Sequence, residues 1–190
     1  MYDENRFLPR SARTMLGVAI FLLVACLCAC ADELTGRVVK VADGDTITVQ
    51  LSNKKRERVR FLGIDAPEHD QAYGAEARTA MNKLANSRMV KVVYEQRDMY
   101  GRIVGQVFIG ERDLGMLMLR MGLAWHYKQY SNSKEYAAAE AAARVAKAGL
   151  WHDASPMPPW EFRREQKRQR QLKQAAETTP QKASATTSKE

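Results

Sequence analysis

Three short segments hold the residue types from which chemistry could be built. Asp43-Gly44-Asp45-Thr46 sets two carboxylates around a glycine, and Arg60-Phe61-Leu62-Gly63-Ile64-Asp65-Ala66-Pro67-Glu68 places an arginine ahead of two further acids. Asp98-Met99-Tyr100-Gly101-Arg102 adds a second guanidinium beside an aromatic ring. Each has a plainer reading when taken alone. Asp-Gly is a common hairpin turn, the second segment could be a strand-edge ion pair followed by an acid before a helix, and the third is a turn with a charge. Together they offer Asp45, Asp65, Glu68, Arg60 and Arg102, an inventory suited to metal-assisted phosphodiester cleavage. A divalent cation offsets charge on a phosphoryl oxygen. Guanidinium forks pair bidentately with phosphate, and a carboxylate can orient or deprotonate water.

The elements that must position these groups follow from the apolar pattern. Leu34–Val41, Thr46–Leu51 and Arg56–Ile64 read as strands, the second alternating Ile47, Val49 and Leu51 with polar residues. Arg60 falls on the face opposite Val59 and Phe61 and is therefore not required to enter the core. Ala72–Asn86 has helical spacing of Ala77, Ala80, Met81 and Leu84. Met89–Glu95 and Ile103–Ile109 are two more strands, Leu114 to Met121 is helical and apolar enough for the core, and Lys134–Lys147 is an Ala-rich helix closed by Gly149. Three consecutive strands cannot supply the crossovers of a doubly wound parallel sheet. An α+β fold is expected, with a five-stranded β-barrel of the oligonucleotide-binding (OB) type and three α-helices.

The composition bounds the rest. Of 190 residues, 45% are hydrophobic, which supports a packed core and argues against a wholly disordered chain. The three cysteines, Cys26, Cys28 and Cys30, crowd one apolar run, so a disulfide scaffold is excluded. Thirty basic against 22 acidic residues, formally +8, predict an anionic partner, either nucleic acid or a membrane surface.

Both ends differ from the middle. Arg6, Arg10 and Arg13 precede an uncharged run from Met15 to Ala31 that is shorter than the ~20 residues of a membrane span. With Ala29-Cys30-Ala31 before Asp32, residues 1–31 read as a signal peptide, and export to the periplasm or medium is expected. Leu23-Val24-Ala25-Cys26 resembles a bacterial lipoprotein signal, so a lipid anchor through Cys26 is an alternative, as is an uncleaved membrane anchor. Cleavage after Ala31 would leave a chain of net charge +7. The expected domain is 32–155, followed by a basic, partly disordered tail over 156–190. Within that tail Trp160–Lys173 has good helix formers, and Thr178–Glu190 reads as disorder. Arg163, Arg164, Lys167, Arg168 and Arg170 make either a phosphate-binding arm or simply a solvated helical face.

The segments VADGDTITV (41–49), VRFLGIDAPE (59–68), YGAEA (73–77), DMYGR (98–102) and GLAW (122–125) resemble the staphylococcal nuclease family, in family order over about residues 34–152. The resemblance implies that Arg60 and Arg102 contact phosphate and that Glu68 is the general base. It implies Asp45 and Asp65 as calcium ligands with the Ala66 backbone carbonyl, and Asp43 as an outer acid. Tyr100, Tyr127 and Tyr130 correspond to aromatics of the nucleotide pocket. The implied activity is a calcium-dependent nuclease on DNA and RNA with little sequence selectivity, leaving 3′-phosphate ends and able to work as a monomer. Two features depart from the staphylococcal pattern. Only four residues separate Glu68 from Tyr73, which shortens a basic loop, and Met99 stands where the family can use lysine.

Other candidates have simpler explanations. His69, His126 and His152 lack metal-ligand spacing, although His126 could line a substrate groove or belong to a surface aromatic cluster. Trp125 and Trp151 are expected to pack helices onto the barrel, and Gly63 to mark a barrel bend. The rival function is a barrel that grips nucleic acid without cutting it, which retention of all five reactive groups disfavours. A third is an envelope lipoprotein whose main role is attachment.

Overall fold

The computed structural model describes residues 31–178. The expected signal segment, Cys26 and the stretch beyond Thr178 lie outside the described residues. Strands β1 (Asp32–Val41), β2 (Thr46–Gln50) and β3 (Arg56–Phe61) form an antiparallel meander, joined by β5 (Met89–Arg97) and β6 (Ile103–Ile109). The order is β3-β2-β1-β5-β6, and a parallel pairing of β3 with β6 closes the five strands into a barrel. Two short strands, β4 (Ile64–Asp65) and β8 (Trp125–His126), pair outside it, while β7 (Arg112–Asp113) extends β6. This is the OB-type α+β fold that the alternation predicts.

Burial explains the closure. Val38, Ile47, Val49, Val59, Val92, Ile103 and Val107 are fully buried inside the barrel, each at the inward phase of its strand. Helix α1 (Gly74–Ala85) adds Ala77, Met81 and Ala85 to that core, and α2 (Leu114–Arg120) adds Leu114, Met118 and Leu119. Asp113 caps α2, accepting from the backbone N–H groups of Gly115 and Met116, and Ser133 caps α3 (Lys134–Val145) through the Tyr136 N–H. Tyr136 ties the two helices, its hydroxyl donating to Asp113 Oδ2 at 2.6 Å.

Two expectations need correction. The third strand does not run to Ile64. It ends at Phe61, because Gly63 takes a positive φ of 75° and turns the chain before β4. The bend is therefore real, and it redirects Asp65. The expected three helices are also joined by a fourth, α4 (Pro159–Thr178), after a 3-10 turn at Gly149–His152. Pro159 stands at its first position, where a missing N–H costs nothing and the fixed φ favours helix. Helix α4 is docked by a second apolar cluster, in which Trp125, Ala143, Leu150 and Trp151 are buried and Trp160 packs against them.

Candidate active site

The sheet register gathers the three chemical segments at one end of the barrel. Thr46 on β2 pairs with Arg60 on β3, and the Phe61 N–H donates to the Asp45 carbonyl at 2.8 Å, so the first two segments adjoin. The parallel closure pairs Arg60 with Val104, which brings the turn ending at Arg102 beside them. Asp65 pairs with Trp125, and the Tyr127 N–H donates to the Gly63 carbonyl at 2.9 Å, adding the tyrosine segment. Glu68 is set by local turns: its N–H reaches Gln71 Oε1 at 3.1 Å, and α1 begins tight against it. A side chain at Gly74 would collide with the Glu68 carbonyl, so only glycine permits that approach.

The result is a cleft of about 450 Å³ lined by Asp43, Asp45, Arg60, Ala66, Glu68, Tyr100, Arg102, Tyr127 and Tyr130, together with Arg163 from α4. Asp65 is fully buried behind the lining, paired with Arg60 and Arg163. Arg60 bridges the two aspartates, contacting Asp45 Oδ1 and donating from Nη2 to Asp65 Oδ1 at 2.5 Å. Asp45 is itself fixed by the Ala66 N–H on Oδ2 at 2.6 Å and by the Thr46 hydroxyl at 3.1 Å. Asp43 accepts the Asp45 N–H at 3.0 Å; burial pushes its pKa up, and the nearby Arg60 charge opposes that rise.

Arg102 is held by its own turn. Asp98 Oδ2 takes its Nε–H at 2.6 Å, and Oδ1 takes the backbone N–H groups of Tyr100 and Arg102, both at 2.9 Å. Tyr100 is 73% exposed, with the Arg102 guanidinium 5.6 Å from its ring centre, so a face remains for a flat ligand. Tyr127 and Tyr130 are in edge contact at 4.8 Å.

The acids suit a hard cation. Two buried carboxylates already converge on one positive charge, the Arg60 guanidinium, and the donors are oxygens. Among the described residues, no group of three or more His, Cys, Asp or Glu side chains stands ready to hold a metal unaided. A cation here would therefore complete its shell with backbone oxygen, water or phosphate. Those residues could hold calcium or magnesium.

His126 is buried opposite Ile64 rather than lining the cleft, and burial holds its pKa below the usual histidine value. His69 and His152 are exposed. Sequence reasoning missed two features. Glu57 is buried at an inward phase of β3, where it takes Arg97 Nη1 at 2.8 Å and Lys55 at 2.7 Å. The same Arg97 nitrogen donates to the Gly101 carbonyl at 2.9 Å, so this network braces the turn that carries Arg102. An acid at an apolar phase of a strand was its one signal. The other feature is the placement of Arg163, which donates to Asp65 Oδ2 at 2.8 Å and to Glu68 Oε1 at 2.6 Å. Burial works against its charge, but bonds to Asp65 and Glu68 outweigh this and raise its pKa above the ordinary arginine value.

Comparison with known proteins agrees with this architecture. The family model described as "Staphylococcal nuclease homologue" matches residues 58–153. An "Uncharacterized endonuclease" of Escherichia coli is 45% identical over 135 residues, covering 70% of this chain and 87% of its own length. A protein of the same description from Haemophilus influenzae is 35% identical over 156 residues, covering 82% and 88%. A rice protein, "Probable staphylococcal-like nuclease CAN2", is 36% identical over 140 residues, 74% of this chain but 36% of its own length. The chain thus belongs to the staphylococcal nuclease family, and the nuclease and endonuclease descriptions of these relatives make it a phosphodiester hydrolase.

Proposed function

We propose that the chain is an exported, calcium-dependent nuclease that hydrolyses DNA and RNA with little sequence selectivity and leaves 3′-phosphate ends. The observation that supports it most is the meeting of Asp45, Arg60, Glu68 and Arg102 in one cleft, with the buried Asp65 paired to Arg60 behind it. Calcium held by Asp45, Asp65 and the Ala66 carbonyl, with Asp43 behind, would offset charge on a phosphoryl oxygen. Glu68 orients a water molecule and takes its proton as the oxygen attacks phosphorus in line. Arg60 and Arg102 pair with the phosphoryl oxygens and hold them more tightly as charge accumulates. The bond from phosphorus to O5′ breaks, that oxygen takes a proton from solvent as it departs, and Glu68 returns its proton to solvent. Contacts to phosphate do not read bases, which gives low selectivity. Tyr100, with Tyr127 and Tyr130 nearby, offers stacking faces for unpaired bases and favours single strands or frayed duplex.

All these groups come from one chain, so a monomer suffices. Export rests on the signal pattern before Asp32, and a lipid anchor at Cys26 is its variant; N-terminal sequencing and mass measurement of the mature protein separate the two. The activity is tested by incubating residues 32–190 with plasmid and with RNA in calcium, magnesium or chelator, and identifying the product ends. Cleavage of both in calcium, reversible loss in chelator and 3′-phosphate ends are expected. Undiminished cutting in chelator would remove the calcium role. Binding without cutting in calcium would favour the non-catalytic module instead.

A further inference from the structure

Asp65 is fully buried, yet two guanidinium groups reach it from opposite parts of the chain. Arg60 on β3 takes Oδ1 at 2.5 Å. Arg163 on α4 forks across both oxygens, Nη1 to Oδ1 at 3.2 Å and Nη2 to Oδ2 at 2.8 Å, while Nη1 also donates to Glu68 at 2.6 Å. Arg163 is not a loose surface side chain that happens to fall there. One turn before it, Trp160 stacks on Tyr127 at 5.2 Å with the rings 4° from parallel, and meets Trp125 edge-on at 5.6 Å. The lead-in to α4 is tied as well, by Gln71 Nε2 on the Met157 carbonyl at 2.7 Å and by the Tyr73 hydroxyl on Asp153 at 3.0 Å. Positions i and i+3 share a helical face, so docking Trp160 delivers Arg163 to the cleft.

The charges say what such a group is for. Asp43, Asp45, Asp65, Glu68 and Asp98 exceed Arg60, Arg102 and Arg163 by two when all are ionised, so a dication would balance the cleft. Without Arg163, the loaded cleft would face an anionic substrate with a net negative charge. The Arg163–Glu68 pair is also easily exchanged, since both side chains are about two-fifths exposed (41% and 39%) and solvent screens such pairs. A cation held at Asp65 would take over the carboxylate that both arginines now serve, leaving both guanidinium forks available to an entering anion. Beyond the cleft, Lys167 and Arg170 follow Arg163 at helical spacing and are exposed. Seven residues of helix span about 10 Å, against one phosphate per about 3.4 Å of helix axis along one strand of B-form DNA.

Resting on the nuclease reading above, we propose that Arg163 is a third substrate-binding guanidinium of this site, delivered by the C-terminal helix. Glu68 and Asp65 hold it until a phosphate takes their place, and Lys167 and Arg170 carry the strand onward. It lies outside the segment that the family model matches, so this contact is a property of the extended chain.

The test uses the full chain in calcium with a labelled single-stranded 12-mer. Steady-state cleavage is compared for the native chain, Arg163→Ala and Arg163→Lys, and anisotropy follows binding across a salt series in the Glu68→Gln form of each. Arg163→Ala should raise KM and Kd about tenfold with kcat within about threefold. The slope of log affinity against log salt should fall by about 0.7, the loss of one phosphate contact on a single strand. Lysine should restore the slope but not the whole affinity, being a point charge rather than a fork. Unchanged KM, Kd and slope with a lowered Tm would make Arg163 a structural strap and overturn the proposal. Faster cutting at lower calcium with unchanged KM would overturn it too, making Arg163 a plug on the acids. If the native chain neither binds nor cuts, the nuclease reading itself fails; if it cuts and Arg163→Ala leaves KM alone, only this inference does.

Discussion

Arg60 and Arg163 reach the same buried carboxylate from supports of different kinds. Arg60 rides on β3, paired on one side with Thr46 of β2 and on the other with Val104 of β6, so the closed barrel sets its position. Arg163 rides on α4, which touches the rest of the protein mainly through Trp160 and the tied lead-in. A strand-borne group cannot be moved without disturbing hydrogen-bonded neighbours on both sides. A helix-borne group docked by one aromatic can be withdrawn while the barrel stands. On the readings proposed above, the reaction chemistry would fall to the barrel rim, and the helix would add to the rim's grip on the substrate.

The largest expected effect tests the barrel's share. Glu68→Gln, Arg60→Ala and Arg102→Ala should each lower turnover by on the order of 10²–10⁴, with circular dichroism unchanged in Glu68→Gln. Near-native digestion by all three would show that the rim does not carry the chemistry. Arg60→Ala should also lower Tm in chelator, because Asp45 and Asp65 would lose their shared partner. Trp160→Ala probes the other side. Losing its two ring contacts should cost about 1–3 kcal/mol, a Tm fall of several degrees, and raise KM as Arg163→Ala does while leaving kcat nearly intact. A collapse of kcat instead would mean that the helix shapes the reacting groups directly.

The same contrast explains how much the sequence disclosed. The barrel was legible because alternation states which side chains point inward, and it put Arg60 out of phase with Val59 and Phe61. The acids were legible because turns and strand exits advertise them by type. The break after Phe61 was less so, since only the left-handed conformation of Gly63 reveals that Ile64 and Asp65 form a separate strand. The helix over Trp160–Lys173 was readable from its formers, and it runs from Pro159 to Thr178. Which of its arginines enters the cleft was not, because that depends on the Trp160–Tyr127 stack between residues 33 positions apart. His126 was likewise open until β8 paired with β4 and buried it.

The smallest expected effect concerns the brace between the regions of the rim. Glu57 is 6% exposed and paired with Arg97 and Lys55, and Arg97 in turn grips the turn bearing Arg102. The hydrogen bond from Arg97, and then that from Lys55, hold the Glu57 carboxyl below its usual range. A carboxyl whose pKa is lower in the folded than in the unfolded chain binds fewer protons when folded. Its stabilisation is thus complete above the unfolded value, about 4.3, and disappears as pH falls through the folded one. Because Arg97 is 42% exposed, solvent screens the pair, and Glu57→Gln should cost about 1 kcal/mol at neutral pH. Thermal melts of the two chains should therefore differ by a few degrees at pH 7 and converge below about pH 4. A gap that persists undiminished into acid would mean that Glu57 acts through packing rather than charge. If the gap closes as expected while KM stays constant at pH 7, the brace serves the barrel alone, and substrate grip rests with the helix.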